Sequence, residues 1–295
     1  MMLASIAHRP VARTLLRRCI ALVPCLGLVL MICSSAVAEE LEMINRPANL
    51  SGLTGLLFTT GPFTVSPGRF EIGAAAFTEK STAPDYSVTE LPSVTLTAGL
   101  TETTELALKS SYLRRTSEMT RDRSMGDTQL SWKWNFLPQS ESSSLPALAL
   151  IVTGIAPTSD RDKNFGGVVH WGAKTGLAAG KELIWGDHVI GLYADAQVAV
   201  QDLSDERIRD RYGIMNAGLI FPISKNRNLQ MLLEYSLLSG IDKISGQGGD
   251  YSGITYGLRL VNERFNLSFG AQFLRKQVQN FDDSSRVIGM MSMKF

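Results

Sequence analysis

Nine ionisable side chains stand at positions that alternate with apolar residues along the chain. They are Arg69, Glu71, Lys109, Lys133, His170, Lys174, Asp195, Glu234 and Arg259. If these segments are extended strands, each of the nine side chains lies on the polar face of its segment. Mixed charges on one interior face could line a selective pore, or they could close the interior through salt bridges. The sequence leaves both interpretations open.

His170 is the strongest candidate for catalysis. Outer-membrane phospholipases combine a serine, a histidine and a polar group that orients the histidine. Here His170 is followed by Trp171 and Gly172, without the His-Gly-x-Ser-Asn context of those enzymes. A nucleophile would have to come from Ser131 or Thr175. We therefore expect no enzymatic activity, and a lipid hydrolase is the least favoured alternative.

Metal and cofactor sites find little support in the sequence. His170 and His188 are the only histidines after the N-terminal segment, too few for a His-rich metal cluster. The glycine-rich stretch 246–249 lacks the strand and helix context of a dinucleotide fingerprint. Four acidic loop residues could attract calcium or bridge lipopolysaccharide, although solvated loop charge is the favoured interpretation. They are Asp160, Asp162, Asp282 and Asp283. We expect no metal and no cofactor.

The stretch GDTQLSWKWNFLP, residues 126–138, shows the pattern that must position the charged residues. Leu130, Trp132 and Trp134 alternate with polar residues, so a strand here has one apolar face and one polar face. A soluble sandwich would bury the apolar face against a second sheet. A membrane barrel would expose it to lipid and turn the polar face inward.

Alternation of this kind recurs in about twelve segments of roughly ten residues, as in single-chain bacterial barrels with their even strand numbers. Connections after even-numbered segments are short, for example KELIWGD (residues 181–187). Those after odd-numbered segments are longer and more charged, for example RRTSEMTRDRSMG (residues 114–126). Short periplasmic turns and long outer loops produce this asymmetry. Charged residues are nearly missing from the apolar faces, where a midplane Arg or Lys would cost about 2–4 kcal/mol. The sequence predicts an all-β fold, a transmembrane antiparallel up-and-down β-barrel of about 12 strands.

The N-terminus has the pattern of a cleaved secretory signal peptide over residues 1–38. Basic residues precede an apolar run that ends in SSAVA, a small-residue cleavage pattern. All three cysteines lie in this segment, so a large core or a membrane must stabilise the exported chain. We assign residues 39–67 to a periplasmic N-terminal lead-in or a plug segment, with an extra hairpin left open, and residues 68–295 to the barrel.

Two stretches resemble known outer-membrane proteins. The terminal MMSMKF resembles the C-terminal signature of outer-membrane barrels, which implies that Phe295 is an assembly signal read by the barrel-assembly machinery. GDTQLSWKWNFLP, LPALALIVTGIAPTSD and TGLAAGKEL resemble the outer-membrane family labelled MetA-pathway of phenol degradation, over about residues 87–221. These motifs are structural, so no functional residue is carried over. The resemblance implies a barrel that passes aromatic or hydrophobic compounds.

Together these patterns predict an exported protein of the bacterial outer membrane. The favoured function is a channel or transporter for small solutes, with an aromatic or hydrophobic class implied by the resemblance. A non-conducting structural or assembly-related barrel is the alternative. The expected partners are outer-membrane lipid and lipopolysaccharide, the barrel-assembly machinery and a small-molecule solute. No basic excess points to nucleic acid.

Overall fold

A computed structural model describes residues 44–81, 86–117, 121–139, 145–159, 168–185, 188–203, 211–224, 226–240, 250–276 and 283–295. The predicted signal peptide lies outside these residues. Thirteen strands follow one another along the described chain. They are β1 (Phe70–Ser81), β2 (Tyr86–Thr101), β3 (Thr104–Ser117), β4 (Arg121–Met125), β5 (Thr128–Leu137), β6 (Ala147–Ala156), β7 (Val168–Trp185), β8 (His188–Leu203), β9 (Arg211–Pro222), β10 (Leu229–Ser239), β11 (Tyr251–Val261), β12 (Phe265–Lys276) and β13 (Ser284–Lys294). Within the described ranges, no helix is long and apolar enough to cross a membrane.

All the strands belong to one antiparallel sheet that closes on itself. β1 pairs with both β2 and the last strand, β13, so the sheet has no open edge there. β4 and β5 both pair with β3 and are separated only by Gly126 and Asp127, so they fill one position in the barrel. The sequence-based prediction of a 12-stranded antiparallel barrel is confirmed.

The two faces of the sheet differ in polarity as the alternation predicts. In β5, Trp134 and Phe136 are exposed on the outside, whereas Ser131 and Lys133 are buried on the inside. The same alternation exposes large apolar side chains around the whole barrel, among them Ile72, Leu96, Leu108, Val152, Leu177, Val198, Met231, Leu258, Phe269 and Met291. The core of this protein is therefore the lumen, and its wall is largely polar.

The strands extend further than the alternation predicts. Residues 114–126 were expected to form an outer loop, but β3 continues to Ser117 and β4 pairs with it. The connection predicted at KELIWGD is also shorter than expected, because β7 continues to Trp185 and β8 begins at His188. The two strands of a hairpin satisfy each other's backbone hydrogen bonds. Strand pairing therefore continues beyond the apolar band, where no apolar face is required.

Residues 44–67, which we call the inner segment, lie inside the barrel. Isolated bridges between Ala48 and Thr54 and between Gly55 and Thr60 fold the segment back on itself. Its leucines Leu56 and Leu57 have no exposed area and cluster with inward-facing apolar residues of the barrel wall. The inner segment thus occupies the space that the closed sheet encloses.

Candidate functional site

Glu234 on β10 makes the most extensive polar contact with the inner segment. Its two carboxylate oxygens accept hydrogen bonds from the backbone N–H groups of Leu57, Phe58 and Thr59 at 2.9, 2.9 and 2.7 Å. The Thr59 hydroxyl donates a fourth at 2.8 Å. Glu234 is 1 % exposed. One barrel side chain therefore satisfies three consecutive backbone donors that would otherwise be buried without partners.

A buried ion pair forms the second contact. The Lys133 ammonium lies 2.7 Å from the Glu105 carboxylate, and neither side chain is exposed. Glu105 accepts hydrogen bonds from the backbone N–H groups of Thr54 and Val65, each at 2.9 Å. Lys133 donates to the Thr54 hydroxyl at 2.5 Å and to the Gly61 carbonyl at 3.0 Å. Removing either charge would leave the other buried and uncompensated, which costs about 3–5 kcal/mol.

Three further predicted residues each bind the backbone of the inner segment once. Glu71 on β1 accepts from the Ala48 N–H at 3.1 Å, and Asp195 on β8 accepts from the Thr60 N–H at 2.8 Å. Arg259 on β11 donates to the Gly55 carbonyl at 3.1 Å. Charges from separate strands therefore converge on one short stretch of chain.

Glu182 on β7 holds the beginning of the inner segment. It accepts a hydrogen bond from the Ile44 N–H at 3.2 Å and forms an ion pair with Arg46 at 2.8 Å. The Tyr193 hydroxyl donates to the same carboxylate at 2.9 Å. Neither Glu182 nor Glu105 is among the nine residues predicted from the sequence. Glu105 could have been predicted from its position on the polar face of its segment. Glu182 could not, because it lies in a stretch that the sequence assigns to a turn.

Apolar contacts with the barrel wall also stabilise the inner segment in the lumen. Leu56 and Leu57 pack in a cluster that includes Ile220, Leu232 and Ile288 of the wall. Glycines in the wall provide the space, because a Cβ at Gly218 would lie 2.6 Å from a Leu56 methyl carbon, and one at Gly270 would lie 2.6 Å from a Leu57 methyl carbon. These glycines allow close approach of the two backbones.

A cavity of about 390 Å3 lies next to the inner segment. Its floor is formed by Ser51, Leu53, Phe58 and Thr60 of the inner segment. Its wall combines apolar side chains with polar and charged ones, namely Ile214, Leu238, Tyr251, Leu274, Thr153, Gln197, Asn216, Ser236, Gln272, Glu79, Lys174 and Arg286. Several of these residues belong to the strand halves away from the chain ends, so we call this space the far cavity.

The charges of the far cavity are unevenly paired. Arg286 binds Glu79 at 2.7 Å. The Lys174 ammonium donates to the side-chain carbonyl of Gln129 at 2.9 Å, and no carboxylate of the described residues lies within 4.0 Å of it. Lys109, on the same inner face, is instead paired with Glu90 at 3.1 Å. Lys174 is therefore the cation that the cavity offers to an anionic group.

Two of the nine predicted residues are exposed and not enclosed in the lumen. Arg69 precedes β1 and is exposed. His170 pairs with Asp202 at 2.6 Å, with 71 % of the imidazole side chain exposed. Among the described residues, no serine or threonine hydroxyl donates to or accepts from His170. Ser131 hydrogen-bonds to Thr153, and the Thr175 hydroxyl donates to the Ile151 carbonyl, so neither candidate nucleophile contacts His170.

The C-terminal Phe295 closes the seam between the first and last strands. Its ring stacks on Phe70 at a centroid distance of 5.0 Å and an interplanar angle of 13°. Its backbone N–H donates to the Phe70 carbonyl at 2.9 Å. The terminal aromatic residue is therefore part of the β1–β13 junction.

Comparisons with known proteins identify the fold. No protein-family model matches the sequence, and no curated protein matches it. The chain is similar to the crystal structure of the COG4313 outer membrane channel from Pseudomonas putida F1, with a TM-score of 0.57 and 12 % sequence identity, over 79 % of this chain and 98 % of that chain. It is also similar to the NanC porin, with a TM-score of 0.50 and 8 % identity, over 76 % of this chain and 100 % of that chain. The chain has the fold of outer-membrane β-barrels.

Proposed function

We propose that this protein is an outer-membrane channel for small solutes whose lumen is closed by the inner segment. The signal peptide of residues 1–38 is removed on export, residues 39–67 contain the plug, and residues 68–295 form the barrel. The apolar outer face contacts lipid, because a closed β-barrel satisfies its backbone groups internally and the side chains of its outer band are mainly apolar. The barrel-assembly machinery inserts it and reads the Phe295 terminus.

The observation that carries this proposal is the way in which the barrel holds the inner segment. Glu234, Glu105 and Asp195 bind mainly its backbone N–H groups, and the hydroxyls of Thr59 and Thr54 add two side-chain contacts. Water can replace each of these hydrogen bonds, so the net free energy of each is far smaller than its gross strength. A wall that is polar after the segment leaves is compatible with a water-filled lumen. The proposal therefore includes a second, open state in which the inner segment has left the lumen.

The solutes that we propose are small molecules with an aromatic or apolar body. The far cavity presents Phe58, Leu53 and Tyr251 beside hydrogen-bonding side chains, a mixture typical of small-molecule sites. The COG4313 protein and the NanC porin are described as an outer membrane channel and a porin. The resemblance of residues 87–221 to the phenol-degradation family supports the same class of solute.

The test is single-channel recording of refolded protein in planar bilayers, with and without residues 44–67. We expect rare openings from the complete mature chain and a persistent, larger conductance from the shortened chain. Heat-modifiable migration in gels verifies that each barrel is folded. If the shortened chain fails to fold, the full-length Glu234→Gln variant tests the same point. Folded barrels that carry identical currents with and without the inner segment would contradict the plug.

A non-conducting structural barrel is the second candidate. The observation in its favour is the packing of Leu56 and Leu57 against the wall, since burying an apolar side chain contributes about 1.5–3 kcal/mol. In that case the inner segment is a permanent core, and the complete chain shows no openings at any voltage and no uptake of solute into liposomes. We propose no enzymatic role, because His170 lies exposed beside Asp202 and away from the hydroxyl groups of the lumen.

A further inference from the structure

One cation of the far cavity is not balanced by a carboxylate of the described residues. The Lys174 ammonium binds the neutral side-chain carbonyl of Gln129 at 2.9 Å. The carboxylate that lines the same cavity, Glu79, already binds Arg286 at 2.7 Å and the Ser284 hydroxyl at 2.8 Å. Removing a cation from water costs free energy unless an anion pairs with it. The described wall of the cavity therefore favours an anionic ligand over a cationic one.

Asp195 orients two amide side chains that line the far cavity. The Gln197 amide nitrogen donates to one Asp195 oxygen at 2.9 Å, and the Asn216 amide nitrogen donates to both at 3.1 and 3.2 Å. Because a carboxylate only accepts hydrogen bonds, it determines which end of each amide faces it. Neither amide oxygen accepts a hydrogen bond from the described residues. The two side chains thus offer acceptors to a ligand that carries a hydroxyl group.

These polar groups form a continuous arc across four strands, which we call the polar arc. By their register, Lys174 and Gln197 are diagonal neighbours on β7 and β8, and so are Gln197 and Asn216 on β8 and β9. Each diagonal step is about 7–8 Å between Cα atoms. Ser236 on β10 is the cross-strand partner of Asn216. Ser236 is 5 % exposed, and its hydroxyl has no hydrogen-bond partner among the described residues.

An apolar surface lies beside the polar arc. Ile214, Leu238 and Tyr251 are successive cross-strand partners on β9, β10 and β11, and we call them the apolar row. Phe58 of the inner segment faces the same cavity. All four side chains are only half-buried although they line the lumen. The cavity volume of about 390 Å3 is within the range of about 300–1,000 Å3 that is typical of small-molecule sites.

We infer that the far cavity binds a hydroxylated aromatic monocarboxylate. The carboxylate pairs with the Lys174 ammonium through a charge-assisted hydrogen bond. The ring packs against Phe58 and the apolar row, and the hydroxyl donates to the Asn216 amide oxygen at the other end of the polar arc. A single negative charge matches the single unbalanced cation. The inference rests on the proposed function for its role, since the bound acid is then the solute that passes through the lumen.

The experiment is isothermal titration calorimetry on folded protein in detergent, with three probes of one shape. They are 4-hydroxybenzoate, 4-hydroxybenzamide, which lacks the charge, and benzoate, which lacks the hydroxyl. The test variants are Lys174→Gln and Asn216→Leu. The matched control is Lys109→Gln/Glu90→Gln, which removes another lumen lysine together with its carboxylate partner at 3.1 Å. Heat-modifiable migration verifies that each barrel is folded.

We expect wild type and the control variant to bind 4-hydroxybenzoate. Relative to this acid, the amide should bind at least about tenfold more weakly, because a charge-assisted hydrogen bond is lost. Benzoate should bind about threefold to tenfold more weakly, because a neutral hydrogen bond is lost. Lys174→Gln should lose the preference for the acid over the amide, and Asn216→Leu should lose the preference for the hydroxylated acid over benzoate.

The comparison of acid and amide on wild type needs no variant, so it decides the matter even if a variant does not fold. Wild type that binds the acid no better than the amide would overturn the inference, and so would a folded Lys174→Gln variant that keeps the preference. A barrel that conducts but binds none of the three probes would refute this inference and leave the channel standing. A barrel that binds the acid through Lys174 but never conducts would refute the channel and leave the binding site standing.

Discussion

Replacing Glu234 with glutamine tests directly how the inner segment is held. Glu234 accepts four hydrogen bonds from three consecutive residues of the segment. Glutamine has nearly the same shape, but it has one acceptor oxygen, and its amide nitrogen would face a backbone N–H. The variant therefore removes acceptors and charge from the contact without opening a cavity in the lumen wall.

The size of the effect follows from two opposing contributions. Hydrogen bonds to a charged group contribute about 1.5–3 kcal/mol each and neutral ones about 0.5–1.5 kcal/mol, so losing some acceptors and weakening the rest removes about 4 kcal/mol. Burying a carboxylate costs several kcal/mol that a neutral amide largely avoids, and we take about 2 kcal/mol of relief from this source. The net change of about 2 kcal/mol against the closed state corresponds to roughly a 30-fold increase in the released population.

Two measurements check this value. The first is the opening frequency of single channels in planar bilayers, which we expect to rise about 30-fold. The second does not need conductance: Leu56, which is fully buried, is changed to cysteine in both backgrounds, and the rate of maleimide labelling is compared. Glu90→Gln is the control, because Glu90 is a lumen carboxylate paired with Lys109. A folded Glu234→Gln barrel whose labelling rate and opening frequency stay within about threefold of the parent would refute the reasoning.

Three further predictions concern the seam, the cavity and the topology. Deleting Phe295 should lower the amount of heat-modifiable barrel in the outer membrane, whereas Phe295→Tyr should preserve it because the stacking on Phe70 remains; normal assembly of the deletion would count against this. Lys174→Glu should shift the reversal potential in asymmetric salt toward cation selectivity, with Lys174→Gln in between, because lumen charges tune selectivity; unchanged selectivity in an open channel would show that ions bypass the far cavity. Single cysteines should react with an impermeant maleimide on whole cells at one end of the barrel only, and the reverse pattern would invert the proposed orientation. The reactive positions are Thr158 and Asp283, and the protected ones are Asn226 and Glu263.

The selectivity test uses Lys174 alone because the structure separates it from Lys133. From the sequence, the two lysines have the same parity and the same expected role in a lumen. In the fold, Lys133 is fully buried against Glu105 and the Gly61 carbonyl, so reversing its charge would disrupt the hold on the inner segment. Lys174 contacts Gln129 and lines the far cavity. Parity alone cannot distinguish a structural lysine from one that meets a solute.

The sequence by itself determined the barrel, its faces and its strand number, because side chains in a strand alternate with a period of two and lipid tolerates only apolar ones. That alternation is a local property, so it can be recognised in each strand independently of the others. It weakens beyond the membrane, which is why the paired extension formed by β3 and β4 looked like a loop. The length and placement of the hairpins therefore came from the tertiary structure.

Only the tertiary structure decided what fills the lumen. Residues 44–67 contain little regular secondary structure, and nothing in their own pattern states that Glu234, more than 170 positions away, accepts their N–H groups. Such contacts depend on the closure of the sheet, which brings β1, β8, β10 and β11 around one axis. Charge on a polar face was predictable because it is a local property. The three-dimensional arrangement of all the strands sets the role of each charged residue. It decides which charge binds the inner segment, which pairs with a neighbouring charge and which faces a solute.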